Sequence, residues 1–193
     1  SSSPRKTNVM LLASSLFIGG AETVIRHLAH SIDRKRFNVT VCHLKQAGHL
    51  GPELERAGID VVGVTNSAKA DYLTSLKLRK IIRARQIDVV HTHTTHGLVD
   101  ACLCKLLNPR LRVVHTFHFG NYPHTRPRIM RMERWFSRLA DRLFSVGDVQ
   151  RRQLQAVYRF SDPAIKTIWN GVTMPVGSGD PGFRARVGAE NKV

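Results

Sequence analysis

The stretch Val9-Met10-Leu11-Leu12-Ala13-Ser14-Ser15-Leu16-Phe17-Ile18-Gly19-Gly20-Ala21-Glu22 decides how this chain folds. Residues 9–13 are apolar without interruption, so they read as a strand buried on both faces rather than one with a wet side. A turn with paired glycines follows. Residues 20–32 then place Val24, Ile25, Leu28 and Ile32 at the spacing of one helical face. A fully buried strand that passes through a glycine turn into an amphipathic helix is the opening unit of a parallel α/β fold.

The alternation continues outward from that unit. Strands are expected at 37–44, 59–64, 87–93, 111–117, 142–146 and 165–169, with helices at 50–57, 72–84, from 94 through Cys102 to Leu106, 128–139 and 149–157. Apolar strands between amphipathic helices imply a doubly wound, mainly parallel, Rossmann-like sheet. After Asn170-Gly171 the texture changes, and Pro175, Gly177, Gly179, Pro181 and Gly182 crowd together as a linker. The expected organisation is a disordered leader at 1–6, one domain at 7–175, and at 176–193 a linker with the start of a further domain.

Composition bounds the function classes. The 193 residues hold 30 Lys and Arg against 14 Asp and Glu, a net charge of +16, which points to an anionic partner: a nucleotide diphosphate, an anionic membrane surface or a nucleic acid. No apolar run reaches the roughly 20 residues of a spanning helix, and the leader reads as no secretion signal. Cys42, Cys102 and Cys104 have no CxxC spacing and read as reduced core thiols. A dinucleotide dehydrogenase is disfavoured: the turn at Gly19-Gly20 is not GxGxxG, and the second strand ends His43-Leu44-Lys45 without an acidic ribose partner. A P-loop is absent.

Two features carry chemistry. The glycine turn sits where an open α/β sheet binds ligands, and a helix N-terminus there offers free N–H groups to an anion; the competing reading is a plain tight turn. Six of the ten histidines fall between positions 91 and 124. His93, His96 and His118 stand at or beyond the ends of neighbouring strands, where they could line a cleft with Gly19 and Gly20, hydrogen-bond sugar hydroxyls or phosphate oxygens, or move protons. His91 and His115 read as core histidines satisfied by backbone. No metal site is expected.

Two basic amphipathic helices complete the list. One spans 77–85. The other, in 124–143, interleaves Arg131, Arg134 and Arg138 with Trp135 and Phe136, a composition that suits either an anionic bilayer or an ordinary solvated face.

Taken in order, Gly19-Gly20-Ala21-Glu22, Ile87-Asp88-Val89-Val90-His91-Thr92-His93, Val113-Val114-His115-Thr116-Phe117-His118, Glu133 with Ala140-Asp141-Arg142-Leu143, and Ile168-Trp169-Asn170-Gly171-Val172 resemble the N-terminal domain of a family 4 glycosyltransferase of the GT-B class. The resemblance covers about residues 7–175. It implies a retaining enzyme that works without an essential metal or cofactor, taking a sugar from a nucleotide-sugar donor to a saccharide, lipid-linked or small-molecule acceptor. By the same resemblance, this half would bind the acceptor, and a C-terminal half absent from the sequence would grip most of the donor. His118 would be catalytic, near the transferred sugar. Gly19 and Gly20 would face the donor diphosphate. His93, Thr94 and His96 would line the acceptor pocket, and Asn170 and Gly171 would mark the interdomain hinge. Arg131, Arg134, Trp135 and Arg138 are membrane-contact candidates, and the setting implied is cytoplasmic, peripheral to the inner face of a membrane. Gly147 departs from the family's frequent serine, and Thr173 from the aspartate that commonly follows Asn-Gly-Val. The rival from another class is a basic nucleic-acid-binding or membrane-binding module without catalysis, though no RRM, KH, helix-turn-helix or zinc-finger pattern supports the former.

Overall fold

Residues 5–17, 19–65, 73–118 and 126–171 are described by the computed structural model of the chain. Seven parallel strands form one sheet: β1 (Thr7–Ala13), β2 (Phe37–His43), β3 (Asp60–Gly63), β4 (Val89–Thr92), β5 (Arg112–Phe117), β6 (Arg142–Ser145) and β7 (Ile165–Thr167). Their spatial order is β3-β2-β1-β4-β5-β6-β7. Six helices join them: α1 (Gly20–Ser31), α2 (Leu50–Arg56), α3 (Thr74–Ala84), α4 (Thr95–Leu106), α5 (Pro127–Ser137) and α6 (Asp148–Tyr158). This is the doubly wound parallel sheet expected from the alternation.

Strand β1 sets the layers because both of its faces are covered. Leu11 and Val9 pack with Val39 and Val41 of β2 against Ile25 and Ala29 of α1 and Leu54 of α2. Met10 and Leu12 point the other way and pack with Val90 and Val113 against Leu78 and Ile82 of α3 and Leu98 and Cys102 of α4. Each such side chain, fully buried, contributes about 1.5–3 kcal/mol. A third cluster joins Phe117 and Leu143 to Leu154 and Tyr158 of α6 and to Ile165.

The three cysteines are buried and free. Burial pushes each thiol up to about 12, out of reach of ionisation at neutral pH. Cys102 and Cys104 donate to the carbonyls of Phe136 and Ser75.

Strand order reverses direction between β1 and β4, since β1 continues to β2 on one side and β4 to β5 on the other. The register Val9↔Val89 to Leu12↔Thr92 brings the two strands to their carboxyl ends together. A crevice opens at such a switch point because the following helices leave on opposite faces. Asp141 ties down the far edge of the sheet. Its carboxylate accepts from Lys105 Nζ (2.7 Å), the Val113 N–H (2.8 Å) and Arg112 (2.9 Å). Burial pulls its pKa upward, but these donors more than offset that and hold it below the usual carboxylate value.

Candidate functional site

The glycine turn leaves β1 at the crevice. Leu16 anchors its first half: the Leu16 N–H donates to the Gln46 carbonyl and the Leu16 carbonyl accepts from Leu50. Gly48, at φ +54°, lets that loop lie against the Leu16 backbone, where any side chain would collide. Gly19 is the N-cap of α1. Its backbone is extended and no side chain caps the helix. The first N–H groups of α1 are therefore open to an outside acceptor. A methyl group at Gly20 would meet nothing within 4 Å, so the fold itself does not demand glycine there. A small groove beside this turn, about 150 Å³, is lined by Phe17, Glu22, Thr23, Arg26, His49 and Glu53.

Strand β4 delivers His93 to the same carboxyl edge of the sheet, and β5 delivers His118 next to it. The ends are aligned by the register, with Thr92 paired to His115. His93 Nδ1 lies 2.8 Å from His118 Nε2, and the rings stack with centroids 5.1 Å apart. His93 is only 2% exposed, so His118, which keeps part of its surface open, stands in front of it. His91 sits behind, its ring 4.2 Å from that of His93 and its Nε2 2.8 Å from the Thr116 hydroxyl. His115 Nδ1 lies 2.7 Å from the Thr92 hydroxyl. The expectation that His91 and His115 are core histidines holds in place, but the side-chain partners are threonines, not the backbone alone.

All four rings are held neutral. Desolvation pushes His91 and His118 down to about 4 and His115 to about 3, and it takes His93 well below the usual value; mutual repulsion among the histidines adds to the effect for His91, His93 and His115. Among the described residues no carboxylate bonds to any of them, and none of the described His, Cys, Asp or Glu gather in a group fit to hold a metal ion.

Thr94 and His96 flank this pair on α4. The Thr94 hydroxyl caps the helix by accepting from the Gly97 N–H at 3.2 Å, and His96 is exposed in the first turn. The sequence reading did not foresee what supports them. Glu133, 1% exposed on α5, accepts hydrogen bonds from the Thr95 hydroxyl (2.7 Å) and from Tyr158 of α6. Only an acidic residue on the apolar side of a basic helix hinted at this role. Asn170 and Gly171 are exposed at the last described positions. The linker at 176–193, Thr173, His124 and the leader residues 1–4 lie outside the described residues.

The membrane-contact candidates share α5 but not one environment. Trp135 is 74% exposed, Arg131 and Met132 on the same helix are exposed too, and so is Leu139 in the turn just beyond its end. Arg138, also exposed, is tied down instead, donating to the carbonyls of Arg134 and Tyr158. A separate basic groove of about 630 Å³, with Arg142, Arg159 and Lys166 on its wall, lies at the amino ends of β6 and β7, away from the histidines.

The family model of Glycosyltransferase Family 4 matches residues 18–174. No curated protein matches the chain. Among solved structures, it is similar to HepE of Anabaena in complex with UDP (19% identity, TM-score 0.74, covering 97% of this chain and 51% of that one). The same protein with UDP-glucose gives 20% identity and a TM-score of 0.71, covering 95% and 50%. A glycosyltransferase from Rickettsia africae is 16% identical with a TM-score of 0.70, covering 88% and 44%. The UDP-N-acetylglucosamine 2-epimerase of Rickettsia bellii is 12% identical with a TM-score of 0.61, covering 84% and 44%. The chain thus spans about half the length of the structures it matches. At such identities the likeness shows a shared fold, one that serves an epimerase as well as transferases.

Proposed function

The chain belongs to Glycosyltransferase Family 4, and from that premise we propose that it is the acceptor-side half of a GT-B enzyme that moves a sugar, with retention, from a nucleotide-sugar donor to a saccharide, lipid-linked or small-molecule acceptor. What supports this reading is the topology: the β1–β4 switch point brings the α1 N-terminus at Gly19-Gly20, which no side chain caps, and the His93–His118 pair to one carboxyl edge of the sheet. UDP and UDP-glucose bound in HepE support a nucleotide-sugar donor.

The chemistry suits these groups. Sugar transfer builds positive charge at the anomeric carbon and negative charge on the departing phosphate. Open N–H groups at a helix end stabilise the latter without reorganising. A neutral His118 hydrogen-bonds a sugar hydroxyl beside the reacting carbon without adding a cation that would oppose its charge. Thr94 and His96, on the rim, contact the acceptor. A second half closing over the crevice, hinged at Asn170 and Gly171, excludes the water that would hydrolyse the donor. The scheme requires no metal ion or other cofactor.

The test is turnover. The full-length enzyme incubated with UDP-glucose and other nucleotide sugars is expected to release the nucleoside diphosphate in an acceptor-dependent way and to give a product that keeps the donor's anomeric configuration. The 193-residue chain alone is expected to transfer nothing, and sustained turnover by it would refute the division of labour.

The outward Trp135, with Met132, Leu139 and Arg131 around it, favours an added role for α5 as a contact with an anionic membrane, peripheral to the inner face. No described helix is long and apolar enough to cross a membrane.

A further inference from the structure

We propose that His93 is a positioning residue that fixes the His118 ring as its Nδ1–H tautomer, so that His118 meets a sugar hydroxyl as a hydrogen-bond donor. The second half of this statement rests on the sugar-site reading above; the first does not.

The argument starts from one proton. His93 Nδ1 and His118 Nε2 are 2.8 Å apart. Two bare lone pairs at that distance repel and two N–H groups collide, so one proton lies between them. Neither ring is an imidazolium, because the cluster is desolvated and its other members, His91 and His115, bond threonines and no carboxylate among the described residues. Two arrangements remain.

In the first, His118 donates through Nε2–H. His93 must then carry its own proton on Nε2, and that nitrogen is buried with no partner among the described residues. An orphaned buried N–H is among the rarest defects in folded proteins. In the second, His93 donates through Nδ1–H and leaves Nε2 as an unpaired acceptor, the milder defect. His118 then has its Nε2 occupied as acceptor, and its proton sits on Nδ1, the free nitrogen of a partly exposed ring. The second arrangement is favoured by the burial of His93, not by any property of His118. The stacked rings and His91 packed behind keep His93 from rotating away.

Side-chain nitrogen NMR of the chain at pH 7.5 reads the tautomer of each histidine directly. The wild-type chain is expected to show His118 protonated on Nδ1. In His93→Leu the signal should move to the Nε2–H form, and His93→Asn, whose amide can place a donor where Nδ1 was, should restore it. An Nε2–H His118 in the wild type, or an unchanged tautomer in a folded His93→Leu chain, overturns the proposal; the wild-type spectrum decides even if the variant does not fold. In the full-length enzyme, His93→Leu is expected to lower kcat for release of UDP from UDP-glucose by about tenfold with a smaller change in KM, and Asn to recover most of it. A normal kcat with a switched tautomer would refute the donor role. Turnover that survives His118→Ala would instead strike the sugar-site reading, leaving the tautomer result standing.

Discussion

At the residue scale, the turn and the histidine pair make opposite demands on the fold. Gly20 is surrounded by open space, so the packing of the described residues does not require glycine there. Gly20→Ala is expected to leave the thermal midpoint unchanged or slightly raised, since alanine is the better helix former, while weakening UDP binding by the full-length enzyme about tenfold; calorimetry of both properties checks it. Equal UDP affinity would return Gly20 to the role of a plain turn. His118→Ala is expected to lower kcat by on the order of 10²-fold, the range of a positioned catalytic group, and a near-native rate would assign the ring to packing. The sequence placed His93, His96 and His118 on one edge but could not tell which ring stands in front. That depends on a stacking geometry 25 residues apart along the chain, and periodicity carries no such information.

At the scale of elements, α5 is held by its one buried acid. Glu133 joins α5 to α4 through Thr95 and to α6 through Tyr158, whose phenol is raised by burial and by this carboxylate. Removing the acceptor takes a buried hydrogen bond from each of two hydroxyls, at about 1–3 kcal/mol each. Glu133→Ala is therefore expected to lower unfolding stability by about 2–6 kcal/mol in urea titrations, and a loss under 1 kcal/mol would mean that water takes its place. The outer face of the same helix offers a separate test. Trp135→Ala combined with Arg131→Glu should reduce flotation of the protein with anionic liposomes, at the salt sensitivity expected of surface charge, without altering stability. Unchanged flotation would remove α5 from any membrane role. The helices and strands themselves were legible from hydrophobic spacing to within a few residues. The Glu133 link was not, because a lone acid among arginines reads as an exposed i,i+4 partner until the tertiary packing turns it inward.

For the whole molecule, the buried imidazoles set a pH window. A histidine in the unfolded chain titrates near 6.5, whereas His91, His115 and His118 bind a proton only near 4, 3 and 4. Between those values the unfolded state holds more protons, so stability is full above about pH 6.5 and falls as pH drops toward 4. His115 alone is worth about 2 kcal/mol between pH 6.5 and 5, and urea midpoints should shift downward accordingly across that interval. Midpoints flat from pH 7 to 5 would mean that these rings are hydrated in solution. The topology was readable at this scale because most strands carry a run of apolar residues and each crossover contains a helix. Which crevice forms follows from the reversal between β1 and β4, which no local pattern encodes. The sealed cysteines have a practical bearing on the hinge proposed at Asn170. With all three native thiols of this chain shut inside the core and un-ionised, a fluorophore attached through one thiol introduced on this side of the crevice would label that position alone, and the movement of the proposed hinge could be followed as a distance in single molecules with no cysteine of this chain first replaced.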